Sequence, residues 1–129
     1  MAALSNYLEE KLLNHVFRQM SYTGPGAIYV GLFKTDPGDD NSGEELYGNG
    51  YDRVTVTFDA GATNGTIVND ADIVFPQATA TWPTVEYIGL FDNRIGGNLL
   101  VHTKLAKPID IDIDDSFLIA ANNMTIALD

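Results

Sequence analysis

The spacing of apolar residues changes once along this chain, from a helical period to a period of two. Between residues 4 and 20 the apolar positions recur at helical spacing, which predicts an amphipathic helix. The Gly- and Pro-containing residues 23–26 should end it. The apolar stripe of this helix consists of Leu8, Leu12, Leu13, Val16, Phe17 and Met20. We expect the stripe to pack on the protein's own sheet, with a neighbouring subunit as the alternative.

From residue 27 onward, short runs rich in β-branched and aromatic residues are separated by Gly, Asn, Asp and Pro, which is typical of strands and turns. Val54, Val56 and Phe58 alternate with threonines, as in a half-exposed antiparallel strand. The predicted strands are residues 27–33, 52–58, 66–69, 72–75, 84–91, 99–105, 109–113, 117–121 and 124–128. No helical pattern separates them, which disfavours parallel βαβ units.

The sequence therefore predicts a mainly β fold, an antiparallel β-sandwich or jelly-roll-like domain with one N-terminal amphipathic helix. A length of 129 residues suits a single domain. We expect that domain to span residues 1–129, with the helical part in residues 1–22 and the sandwich in residues 27–129.

Two predicted strands are nearly identical. Residues 29–33 read Tyr-Val-Gly-Leu-Phe, and residues 87–91 read Tyr-Ile-Gly-Leu-Phe. The flanking residues do not continue the match, so an internal duplication does not follow. The pattern indicates two core strands of one sandwich, each leading into a surface loop.

The loop after the first of these strands, residues 34–50, is long and acidic, and loops of this length in a compact domain are commonly functional. Its carboxylates raise the question of calcium, but their spacing does not match a calcium-binding loop, and a solvated loop is the simpler interpretation. Residues 109–115 alternate Ile with Asp, which predicts a strand with an acidic face. That face is expected to be solvated or to meet a basic patch on a neighbouring subunit.

The charge and composition narrow the functional classes. A formal net charge of −11 repels phosphate backbones, so nucleic acid is not an expected partner. The chain has no cysteine, which removes disulfides and thiolate chemistry. No apolar run approaches the roughly 20 residues of a membrane helix, and Glu9 and Glu10 interrupt any signal-peptide core, so neither a membrane nor secretion by that route is expected.

Catalytic patterns are absent from the sequence. His15 and His102 have neither a triad arrangement nor a second histidine at zinc-ligand spacing. The phosphate-binding glycine motifs and the nucleophile elbow are also missing. We therefore expect a protein that is not an enzyme and has no cofactor, calcium being the one open possibility.

An aromatic group around Trp82 suggests two interpretations. Together with Tyr29, Phe33, Tyr87 and Phe91 it could form a carbohydrate-binding platform. Aromatic residues at alternating strand positions more often belong to the core, so the core is the primary expectation.

Several segments of the sequence match one known family. The matching segments begin with residues 4–18 and include Tyr-Val-Gly-Leu-Phe at 29–33. The others are residues 22–23, 36–37, 50–53, 73–76, 78–80, 81–85, 89–92, 97–100 and 125–129. Through these segments the sequence resembles the small virion structural proteins of tailed bacteriophages that are often labelled tail fibre proteins.

This resemblance implies a structural part of a phage particle, located in the virion and assembled in the host bacterial cytoplasm. The compact size favours a capsid decoration (cement) protein that stabilises the head by lattice and self contacts. The alternative is a tail-fibre-associated module that contacts the host surface or a glycan. Expected partners are the major capsid protein or tail proteins and further copies of the chain, with a trimer as the candidate oligomer. The predicted contact residues are Leu8, Leu12, Val16, Asp36, Asp39, Asp40, Glu44 and Glu45.

Overall fold

The computed structural model describes residues 2–58 and 60–128, and it confirms a mainly β fold with one helix. The helix α1 is Asn6–Phe17. The strands are β1 Ala3–Leu4, β2 Ile28–Phe33, β3 Val54–Val56, β4 Thr66–Val68, β5 Ile73–Val74, β6 Val85–Phe91, β7 Leu99–Ile109, β8 Leu118–Ile119 and β9 Thr125–Ala127.

All strand pairs are antiparallel. Five strands form the main sheet in the order β1-β7-β6-β2-β3, while β4 pairs with β9 and β5 pairs with β8. The main core lies on one face of the large sheet, where Val30, Leu32, Ile88 and Leu90 meet apolar residues of the small sheets. The arrangement is a β-sandwich with an N-terminal helix, as predicted.

The two near-identical strands are direct neighbours. In the β2–β6 ladder Gly31 lies opposite Gly89, and Leu32 lies opposite Ile88. On the face away from the main core, Phe33 and Phe91 stack with ring centroids 5.9 Å apart. These rings lie over the glycine pair. A Cβ added to Gly89 would lie 3.0 Å from a ring carbon of Phe33, so glycine leaves the space that the rings occupy. The repeated Gly-Leu-Phe therefore gives a core on both faces of these central strands.

Because neighbouring side chains approach Gly89 closely, we expect any side chain at this position to destabilise the fold. An added Cβ would also lie 2.8 Å from a methyl carbon of Leu99, which is buried. We expect Gly89→Ala to lower the free energy of unfolding by about 1–3 kcal/mol, the usual cost of overpacking. Gly26→Ala is the control, since no atom lies within 4 Å of its Cβ position. Urea denaturation measures both, and an equal effect of the two substitutions would contradict this packing.

The predicted strand over residues 109–113 is wrong. Strand β7 ends at Ile109, and the chain then turns, with Asp114 at a φ of +70°. The backbone of this segment bonds to the preceding loop, since Trp82 N donates to Ile111 O at 2.9 Å and Ala78 N donates to Asp115 O at 2.9 Å. The alternation of Ile and Asp is typical of a strand, but these long-range hydrogen bonds stabilise a turn. In this turn Ile111 is buried and Ile113 is exposed.

Helix α1 is shorter than the predicted residues 4–20. Leu4 lies in β1, and the helix ends at Phe17, before the glycine-containing segment that was expected to stop it. Gln19 adopts a φ of +57°, the left-handed conformation that commonly follows a helix. The nitrogens of Arg18 and Met20 both donate to Asn14 O at 3.1 Å and close the helix there.

Candidate functional site

The N-terminal end of α1 is anchored firmly to the sheet. Ser5 is buried; its nitrogen donates to Leu100 O at 2.9 Å, and its hydroxyl donates to Leu99 O. The same hydroxyl accepts a hydrogen bond from Leu8 N at 3.2 Å, so Ser5 caps the helix, as serine commonly does. Asn6 N donates to Asp39 O at 3.0 Å. The start of the helix is thereby fixed to both β7 and the acidic loop.

Most of the apolar stripe of α1 does not pack on the sheet. Leu8 and Leu12 are half-buried and turn toward the sheet, in part as predicted. Leu13, Val16, Phe17 and Met20 have relative exposures of 57%, 60%, 77% and 47%. The expectation that the whole stripe is covered by the protein's own sheet is therefore wrong. Leu13, Val16 and Phe17 form a continuous exposed apolar face on the helix, which we call the α1 face, and Met20 lies just beyond the helix end.

An apolar groove adjoins the α1 face. It has a volume of about 310 Å³ and lies between α1, the main sheet and the β4–β9 pair. Leu8 and Leu12 form the helix side of it, and Ile67 and Ile126 form part of the opposite side. Because Leu12 precedes Val16 by one helical turn, the groove and the α1 face form one surface. Large continuous apolar surfaces of this kind mark interaction sites in soluble proteins.

The acidic loop, residues 34–50, is packed back on the domain. Leu46 N donates to Leu32 O at 2.9 Å, and Lys34 N donates to Glu44 O at 3.0 Å, so the loop runs beside the extension of β2. Pro37 and Leu46 are buried. The loop is an ordered part of the fold that exposes Asp36, Asp39, Asp40 and Glu44 on the surface.

Several of the predicted contact carboxylates of this loop pair with basic side chains of the same chain. His102 Nε2 lies 2.8 Å from an Asp39 oxygen, and its Nδ1 lies 3.9 Å from Asp36. The Glu44 carboxylate pairs with Lys34 at 2.9 Å. Asp40 is exposed. Among the described residues, 2–58 and 60–128, no three or more His, Cys, Asp or Glu side chains are arranged to hold a metal.

Glu45, one of the predicted contact residues, lies at the centre of a network of hydrogen bonds within the protein. Its carboxylate accepts two hydrogen bonds from Arg53, at 2.8 Å and 2.7 Å, and one from the Tyr51 hydroxyl at 2.5 Å. Arg53 also donates to the carbonyls of Asn93 and Gly96 and lies 3.5 Å from the centroid of the Phe91 ring. This network joins the acidic loop to the turn after β6. The sequence did not single out Arg53, because its partners are remote along the chain.

Burial of the Tyr51 hydroxyl raises its pKa above the ordinary value, and the neighbouring Glu45 charge and hydrogen bond raise it further. Between pH 10 and that raised pKa the folded chain holds a proton that the unfolded chain has lost, so stability falls as pH rises. We expect the free energy of unfolding to fall above about pH 10 by up to about 1.4 kcal/mol per pH unit from this group. The slope should be smaller in Tyr51→Phe and nearly unchanged in Tyr47→Phe, whose ring is exposed. Equal slopes for wild type and Tyr51→Phe in urea titrations would contradict the assignment.

Trp82, Phe33 and Phe91 belong to the interior, as primarily expected, whereas Tyr29 and Tyr87 are half-buried. Trp82 is buried, donates through its indole nitrogen to Asn49 O at 2.8 Å and meets Tyr51 edge to face. Phe33 and Phe91 are also buried. This arrangement leaves no Trp82 ring face for stacking on a sugar.

Two comparisons bear on the identity of the chain. No curated protein matches it. The profile of the family described as Podophage GP4 fiber I protein gp80 matches residues 3–127, nearly the full length. Within residues 2–58 and 60–128, the one helix is too short to cross a bilayer. The match confirms the resemblance to tailed-phage virion proteins labelled as tail fibres. The chain belongs to the Podophage GP4 fiber I protein gp80 family and is a fibre-type structural protein of a phage virion.

Proposed function

We propose that this protein is a structural subunit of a virion fibre and that it acts by assembly contacts, without catalysis. One structural observation carries the proposal, the α1 face with its adjoining groove. A domain that exposes three large apolar side chains on one face of a helix is suited to a partner that covers them. The family match supports a fibre as the setting, and a fibre protein associates with other virion components.

The anchoring of α1 supports this role. Ser5 and Asn6 hold the first turn to β7 and to the acidic loop, so the helix presents its apolar face in a fixed orientation. A pre-ordered contact surface loses less conformational entropy on binding than a flexible segment. The Glu45–Arg53 network likewise holds the loops at the edge of the sheet. The domain is built to present rigid surfaces.

Capsid decoration is the second candidate location. It is supported by the compact β-sandwich that residues 2–58 and 60–128 form, in which no repetitive shaft of the kind seen in many fibres occurs. In that setting the same α1 face would bind the major capsid protein or a neighbouring copy. Assembly in the host bacterial cytoplasm is part of either proposal.

Gold-labelled antibodies against the purified domain test the location. We expect label on tail-associated fibres of intact particles, with none on particles of a phage from which the gene has been deleted. Label spread evenly over the head would favour decoration. Label on neither structure, with the protein missing from washed particles, would overturn a virion role.

A further inference from the structure

We propose that Asn64 is a site of spontaneous deamidation in the folded protein, and that Asn49, in the same dipeptide and the same kind of turn, is protected from it. The chain contains two Asn-Gly dipeptides, residues 49–50 and 64–65. Asparagine is thermally labile, and a following glycine leaves its own backbone nitrogen open to reaction because it has no Cβ. The proposal concerns the chemistry of one turn and is independent of the place of the chain in the virion.

The reaction needs only the dipeptide and water. The backbone nitrogen of Gly65 attacks the side-chain amide carbon of Asn64, and the new C–N bond closes a succinimide ring. The side-chain nitrogen leaves as ammonia and takes the proton of the Gly65 nitrogen. Water then opens the ring at one of its two carbonyls. The product at position 64 is aspartate or isoaspartate, in which the main chain runs through the side-chain carbon, and either product adds a negative charge.

Both dipeptides lie in the same kind of turn. Asn49 and Asn64 have φ of +53° and +54°, and the glycines after them have φ of +86° and +75°. Positive φ at both central residues is typical of a type I′ turn, for which Asn-Gly is a preferred sequence. In each turn the residue after the glycine donates its backbone nitrogen to the carbonyl of the residue before the asparagine at 3.0 Å. Ring closure requires the peptide plane between asparagine and glycine to rotate out of this conformation.

The peptide plane after Asn49 is fixed by the rest of the fold. The Asn49 carbonyl accepts hydrogen bonds from the Trp82 indole nitrogen at 2.8 Å and from Thr79 N at 3.0 Å. Trp82 is buried, so loss of its hydrogen bond leaves a buried donor without a partner. A Cβ at Gly50 would lie 2.6 Å from Gln77 O, so the backbone is closely packed after this plane as well. Rotation of the plane requires both hydrogen bonds to break.

The corresponding plane after Asn64 has no such restraint. Residues 63–66 are exposed, and within residues 2–58 and 60–128 no group donates a hydrogen bond to the Asn64 carbonyl. The turn leads into β4, whose three residues pair only with the three residues of β9. Short, exposed strand pairs open locally at low free energy. The plane after Asn64 can therefore rotate into the reactive geometry while the main sheet stays folded.

Isoaspartate at position 64 is expected to loosen one wall of the apolar groove. Its extra main-chain carbon lengthens a turn in which Thr63 and Thr66 exchange two backbone hydrogen bonds, at 2.9 and 3.0 Å. The adjoining strands β4 and β9 carry Ile67 and Ile126, which line the groove. Asn64→Asp carries the added charge without the extra carbon. Its midpoint of urea unfolding should match wild type, whereas the isoaspartate form should unfold at a lower urea concentration.

Peptide mapping by mass spectrometry, after incubation of the native protein at mildly alkaline pH, tests the assignment. We expect deamidation at Asn64 to be faster than at Asn49 by about tenfold or more, because two hydrogen bonds must break before Asn49 can react. In denaturing urea, where neither turn exists, the two sites should react at similar rates. Equal rates in the native protein, a faster reaction at Asn49, or an Asn64 that reacts only in urea would each overturn the proposal.

Trp82→Phe tests the cause of the protection. The substitution removes the indole donor and keeps an aromatic ring in the core, so Asn49 should react faster while Asn64 keeps its wild-type rate. Asn64 is the internal reference, since general unfolding would bring both sites to their rates in urea. An unchanged rate at Asn49 in the folded variant would overturn the protective role of this hydrogen bond.

Discussion

Replacing Arg53 with Met is expected to lower the free energy of unfolding by about 3 kcal/mol, because it leaves a largely buried carboxylate without its cation. The Arg53 side chain is only 9% exposed and its partner Glu45 is 23% exposed. Four of its hydrogen bonds and its stacking on Phe91 are lost together. Because Glu45 is partly exposed, we expect the loss of unfolding free energy to lie near the lower end of the range measured when one partner of a buried ion pair is removed.

Arg94→Met is the matched control for that substitution. Arg94 pairs with Asp52, but its side chain is 60% exposed, so water screens the pair. We expect a change below about 1 kcal/mol. Urea denaturation of both variants at neutral pH makes the comparison. Similar losses for the two arginines would show that the Arg53 network does not hold the loops together.

The second large effect is expected for Phe91→Ala, at about 3–5 kcal/mol of unfolding free energy. Phe91 is fully buried, stacks on Phe33 and supports the Arg53 guanidinium. Removal of the Phe91 ring leaves a cavity on the sheet face where the rings pack over Gly31 and Gly89. The surrounding strands are held by ladders on both sides and can collapse only partly.

Phe17→Ala provides the control for Phe91→Ala. Phe17 is 77% exposed, and we expect its removal to change the stability of the monomer by less than about 0.5 kcal/mol. Thermal and urea unfolding at low protein concentration measure both variants. A large loss from Phe17→Ala would mean that the α1 face supports the fold itself.

The strongest local patterns predicted the central strands well. Residues 29–33 and 87–91 combine β-branched and aromatic residues with flanking turn signals, and both form strands. Their direct pairing, with Gly31 opposite Gly89, could not be read from the sequence, because register depends on contacts between remote segments. The same limit explains the failure at residues 109–113, where bonds to Trp82 and Ala78 override a period of two.

The candidate site was predictable only in part. Leu8, Leu12 and Val16 were identified as contact residues from periodicity, and they lie at the groove and the α1 face. Periodicity shows that a helix has an apolar stripe, but it does not show what covers the stripe. The acidic loop was expected to be the principal contact element. The structure shows Glu45 bound in the Arg53 network and Asp39 beside His102, and the role of the loop in contacts stays a prediction.

A cryo-electron microscopy reconstruction of the intact virion tests the central claim most directly. The account predicts density for this β-sandwich in a fibre of the particle, with the exposed face of α1 covered by a neighbouring subunit. Particles that lack the domain, or a bound domain whose Leu13, Val16 and Phe17 all face solvent, would contradict it.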